Sequence, residues 1–232
     1  MHIPDGFLDP KISTGLVGAA VVVLSFSIAK VREAVTALAP VAAMAAAGRG
    51  MSNVVGGMRR VLTGDGERTI YQMGMVAALV FAGQMFNFPI SSGTSGHLIG
   101  GVFASVILGP FAGAIVIAVV LAVQMLFFAD GGLLAIGANI INMSLFGTII
   151  AYYIYYYLKK IVPEWVAILV AAWMAVPLAA FACALELGIS GTIPFEKVIP
   201  AMVNVHMVIG IAEALITLAL VNVFRTMLKG EE

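Results

Sequence analysis

The sequence predicts an all-α integral membrane protein with about seven transmembrane helices, and three observations carry this prediction. Hydrophobic residues make up 62% of the 232 residues and charged residues only 10%, which is outside the usual composition of a soluble domain. The mean hydropathy is +1.08, and long apolar runs recur along the whole chain. Lysine and arginine are concentrated in alternate polar segments, as in proteins that cross the membrane repeatedly.

The apolar runs define the predicted helices in order. These cover residues 12–30, 71–86, 98–108, 111–129, 136–157, 165–185 and 201–227. Gly109-Pro110 separates the short third helix from the fourth, because proline breaks a helix that it interrupts. The apolar run 37–47 is too short to span a bilayer and predicts an interfacial or packed helix.

The predicted organisation is one membrane domain, residues 1–232. It consists of an N-terminal segment (1–11), a cytoplasmic loop (31–69) and the remaining bundle (70–232). With the N-terminus outside, ten lysines and arginines lie in inner segments and two, Lys11 and Lys197, in outer segments. This bias favours a multi-pass protein of the cell membrane with a cytoplasmic C-terminus. The formal net charge is zero, so no nucleic-acid partner is indicated.

Polar residues converge on the predicted outer side of the bundle. Those at or near outer helix ends are Asn87, His97, Asp130, Asn139, Asn142, Asn204 and His206. Glu213 follows His206 by seven residues and so lies on the same helical face, about two turns deeper. Polar groups within a membrane are costly and usually functional, although each of these can instead join helices by hydrogen bonds. The pattern predicts an outward-facing polar pocket.

The N-terminal Met1-His2 pair has the composition of a metal chelate. A free amine at Met1, the backbone nitrogen of His2 and the Nδ1 of its imidazole can close two small rings around one ion. A second imidazole completes four nitrogens, a set that suits Ni(II), Cu(II) or Co(II). The N-terminus lacks a basic region followed directly by an apolar core, so we expect no cleavable signal peptide and expect Met1 to persist. The alternative is that His2 is an exposed residue on a frayed terminus.

Small residues precede the internal histidine. His97 follows Ser91-Ser92-Gly93-Thr94-Ser95-Gly96, and such residues allow another backbone to approach closely. We therefore expect the N-terminal segment to lie against this loop, turned inward at Pro4 and Gly6. Asp5 and Asp9 are expected to add negative charge at the entry to the pocket.

Four stretches of the sequence resemble a known family. They are residues 1–8 (MHIPDGFL), 93–101 (GTSGHLIGG), 128–132 (FADGG) and 137–143 (GANIINM). In this order they resemble CbiM and NikM, the cobalt and nickel substrate-binding subunits of energy-coupling factor transporters. The resemblance implies a seven-helix fold with the outer N-terminus inserted into the bundle. It also implies uptake of Co(II) or Ni(II) as the transported substrate, with cobalamin biosynthesis as one use of cobalt.

The resemblance also implies the ligands and the partners. The metal is held by nitrogens of Met1 and His2 and by the imidazole of His97. The partners are a transmembrane coupling protein (CbiQ/NikQ-like), cytoplasmic ATPases (CbiO/NikO-like) and in some systems a small accessory membrane protein (CbiN/NikN-like). The residues expected to support the ligands are Asn139, Asn142, His206, Glu213, Asp130 and Ser95. Nothing in the sequence separates cobalt from nickel.

Two other functions remain possible from the sequence. One is an intramembrane metalloenzyme using His97, His206 and Glu213, but no His-Glu-x-x-His pair or nucleophile with its base is present. The other is a passive cation facilitator, but the polar residues do not continue to the inner face. The chain also has no Walker A motif, so ATP hydrolysis must come from another chain. Metal binding should weaken as the pH falls, because protons compete for all the nitrogens.

Overall fold

The structure, a computed structural model, describes residues 2–40, 58–85, 87–89 and 95–229. Its helices are α1 (Pro10–Val35), α2 (Gly64–Gln84), α3 (Gly101–Leu108), α4 (Pro110–Phe128), α5 (Ile136–Ile140), α6 (Ala151–Leu158), α7 (Glu164–Ile189) and α8 (Phe195–Lys229). A π-helix, π1 (Ile141–Ile150), joins α5 to α6. Two short antiparallel ladders pair β1 (Thr36–Pro40) with β2 (Met58–Leu62) and β3 (Asn87–Pro89) with β4 (Ser95–His97).

The prediction of an all-α integral membrane protein is confirmed. In the described part of the chain, five helical units are long and apolar enough to cross a bilayer, namely α1, α4, the continuous unit Ile136–Leu158, α7 and α8. Helices α2 and α3 occupy the positions of the second and third predicted helices without meeting that criterion. The eight residues of α3 rise only about 12 Å, far less than the thickness of a bilayer.

The loop predicted over residues 31–69 is shorter than expected, because helices enter it from both sides. Helix α1 continues to Val35, and α2 begins at Gly64. The side chain of Thr63 accepts a hydrogen bond from the Gly66 nitrogen (2.9 Å) and so caps α2. Acidic residues in the first turn favour a helix through its dipole, so Asp65 and Glu67 belong to α2 rather than to a polar loop.

The prediction of a helix within residues 37–47 is wrong for residues 37–40, the part of this run that the structure describes. Thr36 ends α1 in an extended conformation (φ −122°, ψ 146°), and the chain continues as β1. Thr36 pairs with Leu62 and Pro40 with Met58. Backbone pairing with a distant segment here overrides the helical preference of an alanine-rich run. Residues 41–47 lie outside the described residues.

The core lies where α3, α4, π1, α7 and α8 meet. Its largest fully buried apolar side chains are Ile99, Phe103, Ile117, Leu121, Met143 and Ile168. The most extensive helix pairing is between α7 and α8. Buried alanines on α7, among them Ala171, Ala175 and Ala179, let neighbouring backbones approach closely, as is usual between membrane helices.

The π-helix lies directly against the start of α3. A Cβ placed on Gly101 would overlap the carbonyl oxygen of Gly147 and the Oγ1 of Thr148. The Oγ1 of Thr148 itself donates a hydrogen bond to the Met143 carbonyl (2.7 Å). π-Helical turns often occur near functional sites. This contact sets the position of the segment that carries His97 into α3.

Candidate metal centre

The N-terminal segment is folded back among the helices. Ile3 is 2% exposed and packs in a cluster with Ala184 and Leu187 of α7. The Ile3 nitrogen donates to the Oδ1 of Asn139 (2.8 Å), and the Nδ2 of Asn139 donates to the Ile3 carbonyl (3.2 Å). The Gly132 nitrogen donates to the same carbonyl (2.9 Å). The side-chain amide of Asn139 therefore makes the pair of hydrogen bonds with the Ile3 backbone that a neighbouring β-strand would otherwise make.

The two acidic residues of the segment are hydrogen-bond acceptors for the backbone. The Oδ2 of Asp5 accepts from the Leu133 nitrogen (3.1 Å) and its Oδ1 from the Leu134 nitrogen (2.7 Å). The Oδ1 of Asp9 accepts from the Lys11 nitrogen (2.9 Å) and caps α1. Both carboxylates therefore bind backbone N–H groups. From the sequence alone, they are expected only to add negative charge at the entry to the pocket.

His2 and His97 lie side by side in the interior. Their ring centroids are 4.5 Å apart and their planes are inclined by 31°. The side chain of His2 is 5% exposed, and its Nδ1 lies 2.7 Å from the Oδ1 of Asp130. The Nε2 of each ring is buried and has no hydrogen-bond partner among the described residues. A buried nitrogen without a partner is costly unless a ligand takes its lone pair.

The hydrogen bond of His97 fixes which nitrogen is free. Its Nδ1 lies 2.8 Å from the Leu98 carbonyl oxygen, which can only accept a hydrogen bond. Nδ1 therefore carries the proton and Nε2 carries the lone pair. This is the tautomer in which an imidazole binds a metal through Nε2.

Burial keeps both imidazoles neutral. Desolvation lowers the pKa of His97 well below 6.5, and the repulsion of the neighbouring His2 ring acts in the same direction. Desolvation also lowers the pKa of His2, although the Asp130 carboxylate opposes this. The hydrogen bond to His2 lowers the pKa of Asp130. The pair is therefore a site of uncharged nitrogen donors at neutral pH.

The backbone after His97 is held by two helices. The Oε2 of Glu213, on α8, accepts from the Ile99 nitrogen (2.9 Å), and its Oε1 accepts from the Gly100 nitrogen (2.8 Å). The Nε2 of Gln84, on α2, donates to the Ile99 carbonyl (2.7 Å). Both side chains are buried. These three bonds fix the turn that leads from His97 into α3.

The family of the chain follows from a comparison of sequences. The profile of a family described as the cobalt uptake substrate-specific transmembrane region, CbiM, matches residues 34–229. The chain belongs to the CbiM family. The match covers most of the chain and includes the elements that carry His97, Asn139 and Glu213. Together with the five apolar spans, it makes the chain a multi-pass protein of the cell membrane.

Relatives of this CbiM-family chain are named as metal transport proteins. A protein of Archaeoglobus fulgidus, named as a fused nickel transport protein NikMN, is 34% identical over 96% of this chain. The chain spans 64% of the length of that relative. A metal transport protein of Haloquadratum walsbyi is 37% identical over 94% of this chain and 86% of its own length. A crystal structure of a truncated transition metal transporter has a TM-score of 0.77 and 28% identity, covering 98% of this chain and 99% of that chain.

The remaining residues expected at the site divide into three groups, which are buried, exposed or outside the described residues. Asn142 and His206 are fully buried, and His206 lies near enough to His97 for its charge to lower the pKa of that imidazole. The Nδ2 of Asn142 donates to the Oε2 of Glu186 (2.7 Å), and the Nδ1 of His206 lies 2.6 Å from the Met202 carbonyl, one helical turn earlier. Asn204 is exposed. Met1 and the side chains of Asn87 and Ser95 lie outside the described residues.

Sequence reasoning missed one residue and underestimated two. Glu186 was overlooked because the sixth helix was predicted to end at residue 185, whereas α7 continues to Ile189. Gln84 stands inside the second predicted helix, where a glutamine is expected simply to join helices by hydrogen bonds, and Asp5 is expected only to add charge at the entry. A charged residue next to an apolar run was the available signal for Glu186. Within the described residues, no group of three or more His, Cys, Asp and Glu side chains has the arrangement of a metal site.

Proposed function

We propose that this CbiM-family chain binds Co(II) or Ni(II) and is the substrate-specific membrane subunit of an energy-coupling factor transporter. The observation that carries the proposal is the pair of adjacent, buried and uncharged imidazoles of His2 and His97, with the Nε2 of His97 left free by the Leu98 carbonyl. Imidazole nitrogens suit both metals. The names of the family and of its relatives, which refer to cobalt and nickel, support the same class of substrate.

The proposed chelate adds nitrogens from the N-terminus to these rings. Its four donors are the amine of Met1, the backbone nitrogen and Nδ1 of His2, and the Nε2 of His97. In the metal-free protein, the Asp130 carboxylate faces the Nδ1 of His2 and holds the ring in place. For Nδ1 to bind the ion, its proton would move to Nε2, which has no hydrogen-bond partner among the described residues, and the contact with Asp130 would open. A four-nitrogen set has the highest intrinsic affinity for Cu(II). Selection of cobalt or nickel therefore depends on the fit of the cavity and on the availability of each metal.

Buried hydrogen bonds supply the rigidity that such a chelate needs. Glu213 and Gln84 hold the backbone that follows His97, and Asn139 holds the residue that follows His2. Outer partners of this kind typically change metal affinity by about 10–100-fold when they are removed. In this role both oxygens of Glu213 are occupied by backbone N–H groups, which argues against a use of Glu213 as the base of a metalloenzyme.

Transport requires other chains. The proposed partners are a transmembrane coupling protein (CbiQ/NikQ-like) and cytoplasmic ATPases (CbiO/NikO-like), which hydrolyse ATP. The fused name of the Archaeoglobus fulgidus relative supports a small accessory membrane protein (CbiN/NikN-like) as a further partner. This chain alone is then a binding protein rather than an enzyme, and it should bind its metal without moving it across the membrane.

The role of Met1 can be tested with a removable N-terminal fusion. A protease site is placed so that cleavage leaves Met1 as the first residue, and intact mass confirms the product. Nickel and cobalt contents are then measured before and after cleavage. We expect about one ion per chain after cleavage and less than about a tenth of that before it, because the uncleaved chain has no free amine at Met1.

The control for this experiment is the cleaved His97→Ala variant, which keeps the free amine and lacks the internal imidazole. We expect it to lose most of the bound metal. Equal metal contents before and after cleavage would exclude Met1 as a ligand. Failure of the cleaved wild-type chain to bind either metal would exclude the proposed function.

A further inference from the structure

We infer that Asp5 is a positioning residue that anchors the N-terminal segment and determines how slowly a bound metal dissociates. The inference rests on the proposed function for its link to the metal. The anchor itself is a contact of described residues and can be tested in the metal-free protein. Asp5 touches neither imidazole in this role and acts through the backbone that joins it to His2.

The carboxylate of Asp5 fits a site formed by consecutive backbone N–H groups. Leu133 donates to one oxygen and Leu134 to the other, at 3.1 and 2.7 Å. These residues lie in the loop just before α5. The Asp5 carboxylate therefore satisfies two backbone N–H groups of this loop. An ionised acceptor makes both bonds stronger than those of a neutral one.

The anchor is one of three contacts that follow the same order along two segments. His2 contacts Asp130, the Ile3 carbonyl accepts from Gly132, and Asp5 accepts from Leu133 and Leu134. Residues 2–5 thus lie alongside residues 130–134 in register. Pro4 stands between Ile3 and Asp5 and restricts the backbone there. A displacement of Asp5 is therefore transmitted to His2 over only three residues.

The loop leaves room for Asp5 only because position 132 is glycine. A Cβ on Gly132 would overlap the backbone nitrogen and the carboxylate of Asp5. The neighbouring Gly131 has φ +98°, a conformation that other residues rarely adopt. An alanine at position 132 would therefore displace Asp5 without changing any charge. This gives a second, independent way to break the same contact.

The hydrogen bonds of Asp5 lie at the surface, where they can break without disturbing the core. Leu133 and Leu134 are 63% and 66% exposed, whereas Ile3 is 2% exposed. Water competes for hydrogen bonds at the exposed end, so we expect the loss of the anchor to speed metal dissociation by about tenfold rather than abolish binding. The ligand atoms themselves are unchanged, so the absorption spectrum of the bound nickel should also be unchanged.

The decisive comparison is between Asp5→Asn and Asp9→Asn. Both remove one negative charge from the same segment, but asparagine is still a good helix cap at position 9. The chains are loaded with Ni(II), an excess of chelator is added, and the loss of nickel absorption is followed. We expect dissociation to be about tenfold faster in Asp5→Asn and less than about twofold faster in Asp9→Asn, with the same spectrum throughout.

The second pair of variants is Gly132→Ala and Gly15→Ala, the latter in α1 where a Cβ meets no other atom within 4 Å. Gly132→Ala should match Asp5→Asn, and the double variant should be no faster than the faster single one, because both break one contact. Gly15→Ala should behave as wild type. Equal dissociation rates in wild type, Asp5→Asn and Gly132→Ala would overturn the inference.

Hydrogen exchange in the metal-free protein separates this inference from the proposed function. The Ile3 amide, protected by Asn139, should exchange about tenfold faster in Asp5→Asn than in Asp9→Asn, with an unchanged thermal midpoint. Unchanged exchange would contradict the anchor even in a protein that binds metal. Faster exchange in a protein that binds no metal would support the anchor and refute the proposed function.

Discussion

At the scale of single residues, His2 and His97 take up protons less readily than ordinary histidines. Both lie in the interior, and burial lowers the pKa of each. Both rings therefore favour the uncharged form in the metal-free protein. The sequence predicts that every nitrogen competes for protons, and the lowered pKa of both rings makes the imidazole part of this pH dependence smaller.

The number of protons released on metal binding tests this point. At pH 6, two imidazoles of ordinary pKa, together with the Met1 amine and the His2 amide, would release about three and a half protons. Because burial lowers the pKa of both rings, the protein should release fewer, towards the two protons of the amine and the amide. Affinity should accordingly fall as the pH is lowered, but with the smaller slope. Calorimetry in buffers of different ionisation enthalpy measures the number directly.

A synthetic peptide of residues 1–8 is the control for the proton count. Its single histidine is solvated and has an ordinary pKa, so the peptide should release close to three protons at pH 6, about one more than the protein. A count near three and a half for the protein would show that its imidazoles are charged before binding and would contradict the assignment of neutral rings.

Residues that stand out against an apolar background could be predicted from the sequence. His97, Asn139 and Glu213 lie in or beside hydrophobic runs, and the structure places all three around the N-terminal segment and the turn after His97. Asp5 and Gly132 could not be predicted in the same way. Their roles depend on a backbone contact between segments more than 120 residues apart, to which hydropathy is blind.

At the scale of elements, contacts with several neighbouring elements fix the position of the first residue of the short helix α3. Its first residue, Gly101, touches the π-helix at Gly147 and Thr148, while the residues before it are bonded to α2 and α8. Three elements thus converge on one turn. The position of His97 is therefore a property of how the helices pack rather than of the local sequence.

A glycine pair tests this packing. Gly101→Ala places a methyl group against backbone atoms that cannot rotate away, so we expect a loss of about 1–3 kcal/mol of stability and weaker metal binding. Gly74→Ala, in α2 where a Cβ meets no other atom within 4 Å, should leave stability unchanged or raise it by up to about 1 kcal/mol. The thermal midpoint in detergent and the metal affinity are measured for both. Equal midpoints would contradict the close contact with π1.

Helices could be predicted better than their connections. The apolar runs identify all seven helical units of the described chain, because burial in a bilayer demands long hydrophobic stretches. The predicted helix ends differ from the observed ones where polar residues belong to a helix, as at Asp65 and Glu67 in α2. The strand at Thr36–Pro40 could not be foreseen, because its partner begins only at Met58, after the intervening residues 41–57.

At the scale of the whole molecule, the candidate metal centre lies at one end of the bundle. The Oγ1 of Thr192 donates to the Phe7 carbonyl, and the Asp9 nitrogen donates to the Oγ of Ser190 (3.2 Å). The N-terminal segment therefore lies at the same end as the α7–α8 connection. Lys159 and Lys160 lie beyond the opposite end of α7, on the side where the charge bias predicts the cytoplasm.

Cysteine labelling tests this orientation. Lys197→Cys and Lys160→Cys place a thiol at an exposed position at each end of the molecule, and the natural Cys183 is buried. In intact cells a membrane-impermeant maleimide should label Lys197→Cys, whereas Lys160→Cys should be labelled only after permeabilisation. The unaltered chain should remain unlabelled. The reverse pattern would contradict an N-terminus on the outer side.

The fold also dictates when the metal centre can come into existence during synthesis. The partner of Ile3 is synthesised 136 residues after it, the partner of Phe7 185 residues after it, and the turn after His97 is completed by Glu213. Residues 3–7 therefore lack these contacts until α7 has been made. A product truncated before α7 could not hold the proposed chelate in place.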